Sequence, residues 1–345
     1  MRILIVKLSS FGDVIHAMPA ISDLAALRPE VEIDWLVEEG FASIAGLHPA
    51  VGHVFTVADR RLRWPPNRWP ALFAARNSLR RELQARHYDL VIDLQGLLKS
   101  VATARLAVAP IAGYDADSIR EPAASRLYNR TVAVSRDLHA VERNRRLLAA
   151  ALHYEAPAGR GSFGLAKGVE RRADLPARYS IVIHGASWRS KLWPEANWKR
   201  LVEHLAARDL PAVLPWGNGE EKARAERIAA AGNAIVLEER LGGADLAAVI
   251  GNAACAVGLD SGLMHLATAL GVPGVWLFGP TDPGLTGPYG DGQAVIRSTN
   301  PAAPCRTRDC AHAAGGKTCM DMVDFERVAE AVDALLLERS APYSG

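Results

Sequence analysis

Cysteine is scarce, with four in 345 residues. That excludes a disulfide scaffold in a chain this long. Three of the four, Cys305, Cys310 and Cys319, lie late in the chain, but no C-x-x-C pair occurs among them, so a structural zinc site is not indicated. Free thiols in a reducing compartment are the expectation. Long apolar runs are also missing. The longest, 263–278, is broken by His265, Gly271, Pro273 and Gly274, whereas a spanning helix needs about 20 mostly apolar residues. The run Ile3–Val6 ends at Lys7 and is too short for the core of a secretion signal. Nor is there a global excess of charge: the net is +2, which gives nucleic acid no reason to bind.

The charge is nevertheless uneven. Residues 59–146 hold 17 Lys and Arg against 9 Asp and Glu, and the rest of the chain holds 23 against 29. A basic stretch in the first half faces an acidic remainder, which suits an anionic partner.

What the chain has in abundance is alternation of strand and helix. Ile3–Val6 is a continuous apolar run, as in a strand buried on both faces of a parallel sheet. Val31, Ile33, Trp35 and Val37 alternate. Further strands are predicted at Val54–Val57, Leu90–Ile92, Ile111–Tyr114 and Thr131–Val134, with helices near Trp69–Ala85, Leu97–Leu106 and His139–Leu152. Pro157, Gly159, Gly161 and Gly164 then mark a linker. The alternation restarts with strands at Ile181–Ile183, Val213–Leu214, Ile235–Leu237, Cys255–Leu259 and Val275–Phe278. Pro194 is expected in the first turn of a helix, and Phe325–Leu337 as a closing amphipathic helix. Two runs of βα units predict an α/β chain of two doubly wound, Rossmann-like domains. The expected boundaries are 1–153, a linker at 154–178, 179–324, and a terminal helix and tail at 325–345. Ligands in such sheets bind at the carboxyl ends of the strands, here in a cleft that the two domains would face.

Three loops at such ends carry chemistry. Lys7-Leu8-Ser9-Ser10-Phe11-Gly12-Asp13 follows the first strand. It is not G-x-G-x-x-G, so it is not a dinucleotide fingerprint. Ser9, Ser10 and Gly12 can present hydroxyls and N–H groups, while Asp13 reads either as an N-terminal helix cap or as a base. His184-Gly185-Ala186-Ser187-Trp188-Arg189-Ser190-Lys191 combines small residues, a hydroxyl and cations before a helix, as a diphosphate site would. Asp260-Ser261-Gly262-Leu263-Met264-His265 ends a strand and starts a helix whose free N–H groups can hold phosphate oxygens. His265, four residues past Ser261, lies on the same side one turn later. Glu221, after Trp216-Gly217-Asn218-Gly219-Glu220, could accept from ribose hydroxyls. Asp115-Ala116-Asp117 spells D-x-D but reads as a surface turn.

Taken in order, these segments resemble the lipopolysaccharide heptosyltransferases, GT-B glycosyltransferases of family 9. The likeness rests on residues 7–16 with Pro19-Ala20, 35–41, Asp93-Leu94-Gln95-Gly96-Leu97-Leu98-Lys99-Ser100, Arg120-Glu121-Pro122 and His139-Ala140-Val141-Glu142-Arg143. It continues through Lys191-Leu192-Trp193-Pro194, Asp260–Leu266 and Gly279-Pro280-Thr281-Asp282-Pro283. The resemblance implies inverting transfer of L-glycero-D-manno-heptose from ADP-heptose to the Kdo of Kdo-lipid A, at the cytoplasmic face of the inner membrane. It implies Asp13 as general base and Lys191 as a second catalytic group. Ser187, Lys191, Glu221, Asp260, Ser261, Gly262 and His265 would meet the donor, and Ser9, Ser10, Arg60, Arg61, Arg120, His139 and Arg143 the acceptor. No metal or other cofactor is required, and Mg2+ would be an optional aid. This chain departs from the family at Ala186-Ser187, where two threonines are common, and at Trp188. The competing readings are a related transferase with another acceptor (a second core heptose or a protein hydroxyl), a sugar-nucleotide epimerase, and a nucleotide-binding module without catalysis.

Overall fold

The apolar runs are strands, and every strand pairs in parallel. The structure, a computed structural model, describes residues 1–62, 65–166, 171–310 and 318–338. The chain divides into two compact units, Met1–Leu165 and Ala166–Gly345.

In the first unit the order is β1 (Arg2–Val6), α1 (Phe11–Leu27), β2 (Glu32–Glu38), α2 (Ala42–Ala45), β3 (Val51–Val57), α3 (Asp59–Leu62), α4 (Trp69–Ala85), β4 (Leu90–Asp93), α5 (Leu98–Ala104), β5 (Ile111–Tyr114), α6 (Pro122–Ser125), β6 (Arg130–Val132) and α7 (Ala140–Ala151). The sheet order is β3-β2-β1-β4-β5-β6. Ile3, Leu4, Ile5 and Val6 are fully buried at its centre, as their unbroken apolarity requires. The chain starts in the middle of the sheet, winds out to β3, and crosses back to β4. The strand order therefore reverses between β1 and β4.

The second unit repeats the plan with β7 (Ser180–Ile183), α8 (Glu195–Ala206), β8 (Ala212–Leu214), α9 (Gly219–Ala229), β9 (Ala234–Val236), α10 (Gly243–Gly251), β10 (Cys255–Leu259), α11 (Gly262–Ala269), β11 (Gly274–Phe278), α12 (Pro283–Thr286), β12 (Gln293–Arg297) and α13 (Phe325–Glu338). Its order is β12-β11-β10-β7-β8-β9, reversing between β7 and β10. Phe325, Val328 and Val332 of α13 join the core formed by α8 and this sheet. Among the described residues, no helix is long and apolar enough to cross a membrane.

Most expected elements form within one to three residues of their predicted bounds. Two differ. Pro194 is not inside the helix: its extended ψ of 136° makes it the residue before α8, which starts at Glu195. Edge strand β12 was not expected. Its Gln293 looks polar in sequence, but the amide is spent on Trp276 Nε1, Thr268 Oγ1 and the Val272 carbonyl.

Candidate functional site

Each sheet carries its polar loops where the strand order reverses, the place at which doubly wound sheets bind ligands. In the first unit the loop after β1 meets the loop after β4. The Ser9 N–H donates to Gln95 Oε1 at 3.1 Å. Asp13, in the first turn of α1, accepts from the Ser10 N–H at 2.7 Å and from the Ser10 hydroxyl at 3.0 Å. The capping residue itself is Ser10, and Asp13, three residues on, closes a capping box with it; these bonds fix the Asp13 carboxylate in place. Below it lies Lys7, which the motif contained but to which no role had been given. Lys7 is buried and donates from Nζ to the Leu94 carbonyl at 2.8 Å. Burial pushes this ammonium below its ordinary range and Arg143 adds to the push, while Asp13 and Asp93 pull the other way. A lysine that closes a buried strand was the available signal.

Asp93 shapes the neighbouring loop. It is fully buried and accepts from Ser100 Oγ (2.7 Å), Tyr128 Oη (2.8 Å) and the N–H groups of Gln95 and Gly96. Burial raises its pKa against those four donors.

The expected acceptor residues separate into groups. His139 precedes α7, and its Nδ1 accepts from the Val141 N–H at 3.2 Å. Its ring lies 5.4 Å from that of His16 in α1. Arg143 stacks on the Tyr114 ring at 4.7 Å, donates to the Ser118 carbonyl, and keeps its Nε without a partner among the described residues. Arg120 is exposed. Arg61 is exposed but ion-paired, its Nε 2.7 Å from Glu39 Oε1. Arg60 lies in α3, and its side chain is outside the described residues, as are Arg63 and Trp64. Asp115 and Asp117 form the expected turn, Asp115 Oδ1 accepting from the Ser118 N–H.

In the second unit, the loops after β7 and β10 converge. Lys191 Nζ lies 2.7 Å from Asp260 Oδ2 and 3.0 Å from the Asp260 carbonyl. His265 Nε2 lies 3.6 Å from the other carboxylate oxygen. Burial alone would raise the Asp260 pKa; the His265 hydrogen bond and the Lys191 charge outweigh it and hold the group well below the usual carboxylate range. His265 packs on Trp276, ring centroids 4.8 Å apart. Beside this cluster α11 begins at Gly262, and the buried Ser261 hydroxyl in front of it has no partner among the described residues. A cation, an unspent hydroxyl and the first N–H groups of a helix can together receive an anionic oxygen.

The remaining donor candidates flank that cluster. Glu221 accepts from the Gly217 N–H at 2.7 Å and crowds Gly185, where an added Cβ would sit 3.0 Å from its carboxyl carbon. Ser187 is exposed on its loop. The Trp188 ring lies between two cations, Lys191 Nζ at 4.9 Å and Arg308 Cζ at 5.7 Å. Ser190 ties this loop to the thiol-bearing segment, donating from Oγ to the Thr307 carbonyl at 2.8 Å and from N–H to Arg308 O at 3.3 Å. No local pattern marks Arg308, because its contacts join positions more than a hundred residues apart. All four cysteines are free, and burial pushes the Cys319 thiol up to about 11.

Two doubly wound parallel sheets, each with its polar loops at the reversal, are the plan of the GT-B fold, which the glycosyltransferases described next share. The chain belongs to glycosyltransferase family 9 (heptosyltransferase), whose model matches residues 76–314. It is 44% identical to lipopolysaccharide heptosyltransferase 1 of Pseudomonas aeruginosa over 355 aligned residues, 98% of both chains. It is similar in structure to an Escherichia coli heptosyltransferase solved with ADP (TM-score 0.85, 37% identity, 97% of this chain and 100% of that one). The same E. coli enzyme solved with ADP-2-deoxy-2-fluoro heptose gives a TM-score of 0.80 at 37% identity, with 99% and 100% covered.

Proposed function

We propose that this enzyme transfers L-glycero-D-manno-heptose from ADP-heptose to a Kdo hydroxyl of Kdo-lipid A, with inversion, in building the lipopolysaccharide inner core. The observation that carries the reading is the Lys191–Asp260–His265 cluster beside the unspent Ser261 hydroxyl at the start of α11. A departing ADP develops negative charge. A half-buried ammonium and helix-end N–H groups are the donors that stabilise it. Support for the donor comes from the E. coli relative solved with ADP and with a fluorinated ADP-heptose.

In this mechanism the second unit holds ADP-heptose. Lys191, Ser187, Ser261 and the Gly262 N–H bind the diphosphate, Asp260 and His265 set the position of Lys191, and Glu221 meets the ribose. The first unit holds the acceptor through Ser9, Ser10, Arg120, His139, Arg143 and the Arg60–Arg61 pair. Asp13 takes the proton from the attacking hydroxyl as the new bond forms and the bond to ADP breaks. The protein's own cations supply the charge needed at the leaving group, with Mg2+ an optional aid. Because the acceptor is a lipid, the enzyme works at the cytoplasmic face of the inner membrane.

The test is mass spectrometry of Kdo-lipid A after incubation with ADP-heptose, which should show the mass of one added heptose. Asp13→Asn retains a group that accepts from Ser10 but cannot take the proton, so the rate should fall by roughly 10²–10⁴ with ADP affinity kept. Turnover of donor alone into an isomer would instead mark an epimerase. Near-normal transfer by a folded Asp13→Asn variant would remove Asp13 from the mechanism.

A further inference from the structure

The amino half of α4 is apolar and largely uncovered. Residues 69–75 read Trp-Pro-Ala-Leu-Phe-Ala-Ala, yet Trp69 is 51% and Phe73 63% exposed. Pro70, Ala71, Ala74 and Ala75 are exposed as well, and only Leu79 and Leu83, in the other half, are buried. Trp69 and Phe73 are four residues apart and so share one face, and Arg80, seven further on, continues the same stripe.

The charge around this stripe is one-sided. Arg68, Arg80 and Arg81 are exposed, and none pairs with a carboxylate among the described residues. The neighbouring arginines are already neutralised: Arg61 by Glu39, Arg76 by Asp59 and Arg86 by Asp34. Within α4 the sole acid is Glu82. A second copy of this surface would bring arginines against arginines. An anionic lipid leaflet satisfies both features at once. Tryptophan and phenylalanine favour the headgroup boundary, and arginine stems lie along apolar surface while their heads reach phosphates.

We propose that the amino half of α4, led by Trp69 and Phe73 and flanked by Arg68, Arg80 and Arg81, docks this enzyme on the surface of an anionic lipid bilayer. The proposal rests on the reading that the acceptor is a membrane lipid, and it assigns the contact to bulk lipid rather than to the acceptor's sugar.

The experiment is co-sedimentation of the full chain with phosphatidylcholine vesicles, with and without phosphatidylglycerol. Wild type should bind the anionic vesicles more tightly, and salt should weaken that binding. Trp69→Ser with Phe73→Ser should lower partitioning by roughly 10- to 100-fold. Arg68→Gln, Arg80→Gln and Arg81→Gln together should abolish the preference for phosphatidylglycerol, at about fivefold per cation. Both variants should keep wild-type ADP affinity by calorimetry. Both should also keep wild-type transfer to a water-soluble Kdo acceptor, while losing transfer to acceptor embedded in vesicles. Absence of transfer to either acceptor by wild type would sink the functional reading and leave the vesicle result standing on its own. If wild type does not bind anionic vesicles, or the aromatic variant binds them as well as wild type does, the docking proposal is wrong. It is equally wrong if that variant only turns a dimer into a monomer, which would make α4 a self-association surface.

Discussion

Lys191→Ala tests whether the half-buried cation serves the fold, the donor or both. Lys191 and Asp260 are 12% and 7% exposed, with their charges 2.7 Å apart. At an effective dielectric of 20 the bare attraction is about 6 kcal/mol, but desolvation of both ions cancels most of it. What matters is the asymmetry. Removing Lys191 strands the Asp260 carboxylate, and stranding a buried charge costs about 3–5 kcal/mol. The His265 ring, its Nε2 3.6 Å from the other carboxylate oxygen, remains beside the stranded group as a polar neighbour, which favours the low end. A loss of about 3 kcal/mol in a unit of this size lowers the melting temperature by about 6–12 °C. Replacing both Lys191 and Asp260 by Ala removes the stranded charge, so most of that stability should return. ADP affinity should not return. A charge-assisted hydrogen bond to phosphate is worth about 1.5–3 kcal/mol, or roughly 10- to 150-fold in affinity. The assays are thermal melting by circular dichroism and ADP titration by calorimetry, on wild type and both variants. Wild-type ADP affinity in the double variant would refute the donor role, and an unchanged melting temperature in the single variant would refute the energetics.

Three shorter predictions follow from the same geometry. Burial lowers the pKa of His48 and of His184 to about 4 from 6.5; between those pH values the unfolded chain binds more protons, so stability should fall as pH drops through that window and hold above it. Acid titration of the melting temperature reads this, and His48→Gln should flatten the slope. Below about pH 4 the depressed Asp260 should add a further loss as it takes up a proton. Gly258→Ala would set a Cβ 2.7 Å from Met264 Cγ and 2.8 Å from Ile183 Cβ, costing about 1–3 kcal/mol and displacing the start of α11; a variant with unchanged melting and unchanged ADP binding contradicts that. Trp188→Ala should weaken ADP binding by about 3- to 10-fold, because the ring that positions Lys191 is lost, and Trp188→Phe should restore most of it.

The parts of this molecule that were legible in the sequence are those with local causes. Ile3–Val6 and Cys255–Leu259 read as central strands because burial on both faces demands unbroken apolarity. Asp260, Ser261 and His265 could be grouped because a strand end and one helical turn separate them. Lys191 could be named, but not its partner: the Lys191–Asp260 contact joins residues 69 apart and depends on β7 lying next to β10. The burial of Lys7 could be read from its place at the end of the apolar run Ile3–Val6, but its bond to the Leu94 carbonyl, 87 residues on, could not. The glutamate that occupies Arg61 comes from a segment 22 residues earlier, folded back beside it. Edge strand β12 was hidden by a polar residue whose amide is occupied by Trp276, Thr268 and the Val272 carbonyl, all about twenty residues away in sequence.

The reversal of strand order between β7 and β10 also separates the second unit into parts that can change independently. Lys191, Asp260, Ser261 and His265 sit on the two central strands' loops, whereas Glu221 arrives on the excursion through β8, α9, β9 and α10 that leaves the sheet's middle and comes back. Exchange of residues 215–221 for another loop of the same length would leave every contact of the Lys191–Asp260 pair intact. On the proposed reading of the site, new specificity toward the sugar or base of a nucleotide could therefore be gained on that excursion while the leaving-group chemistry is inherited unchanged, which makes this half of the molecule a ready starting point for laboratory evolution toward other nucleotide donors.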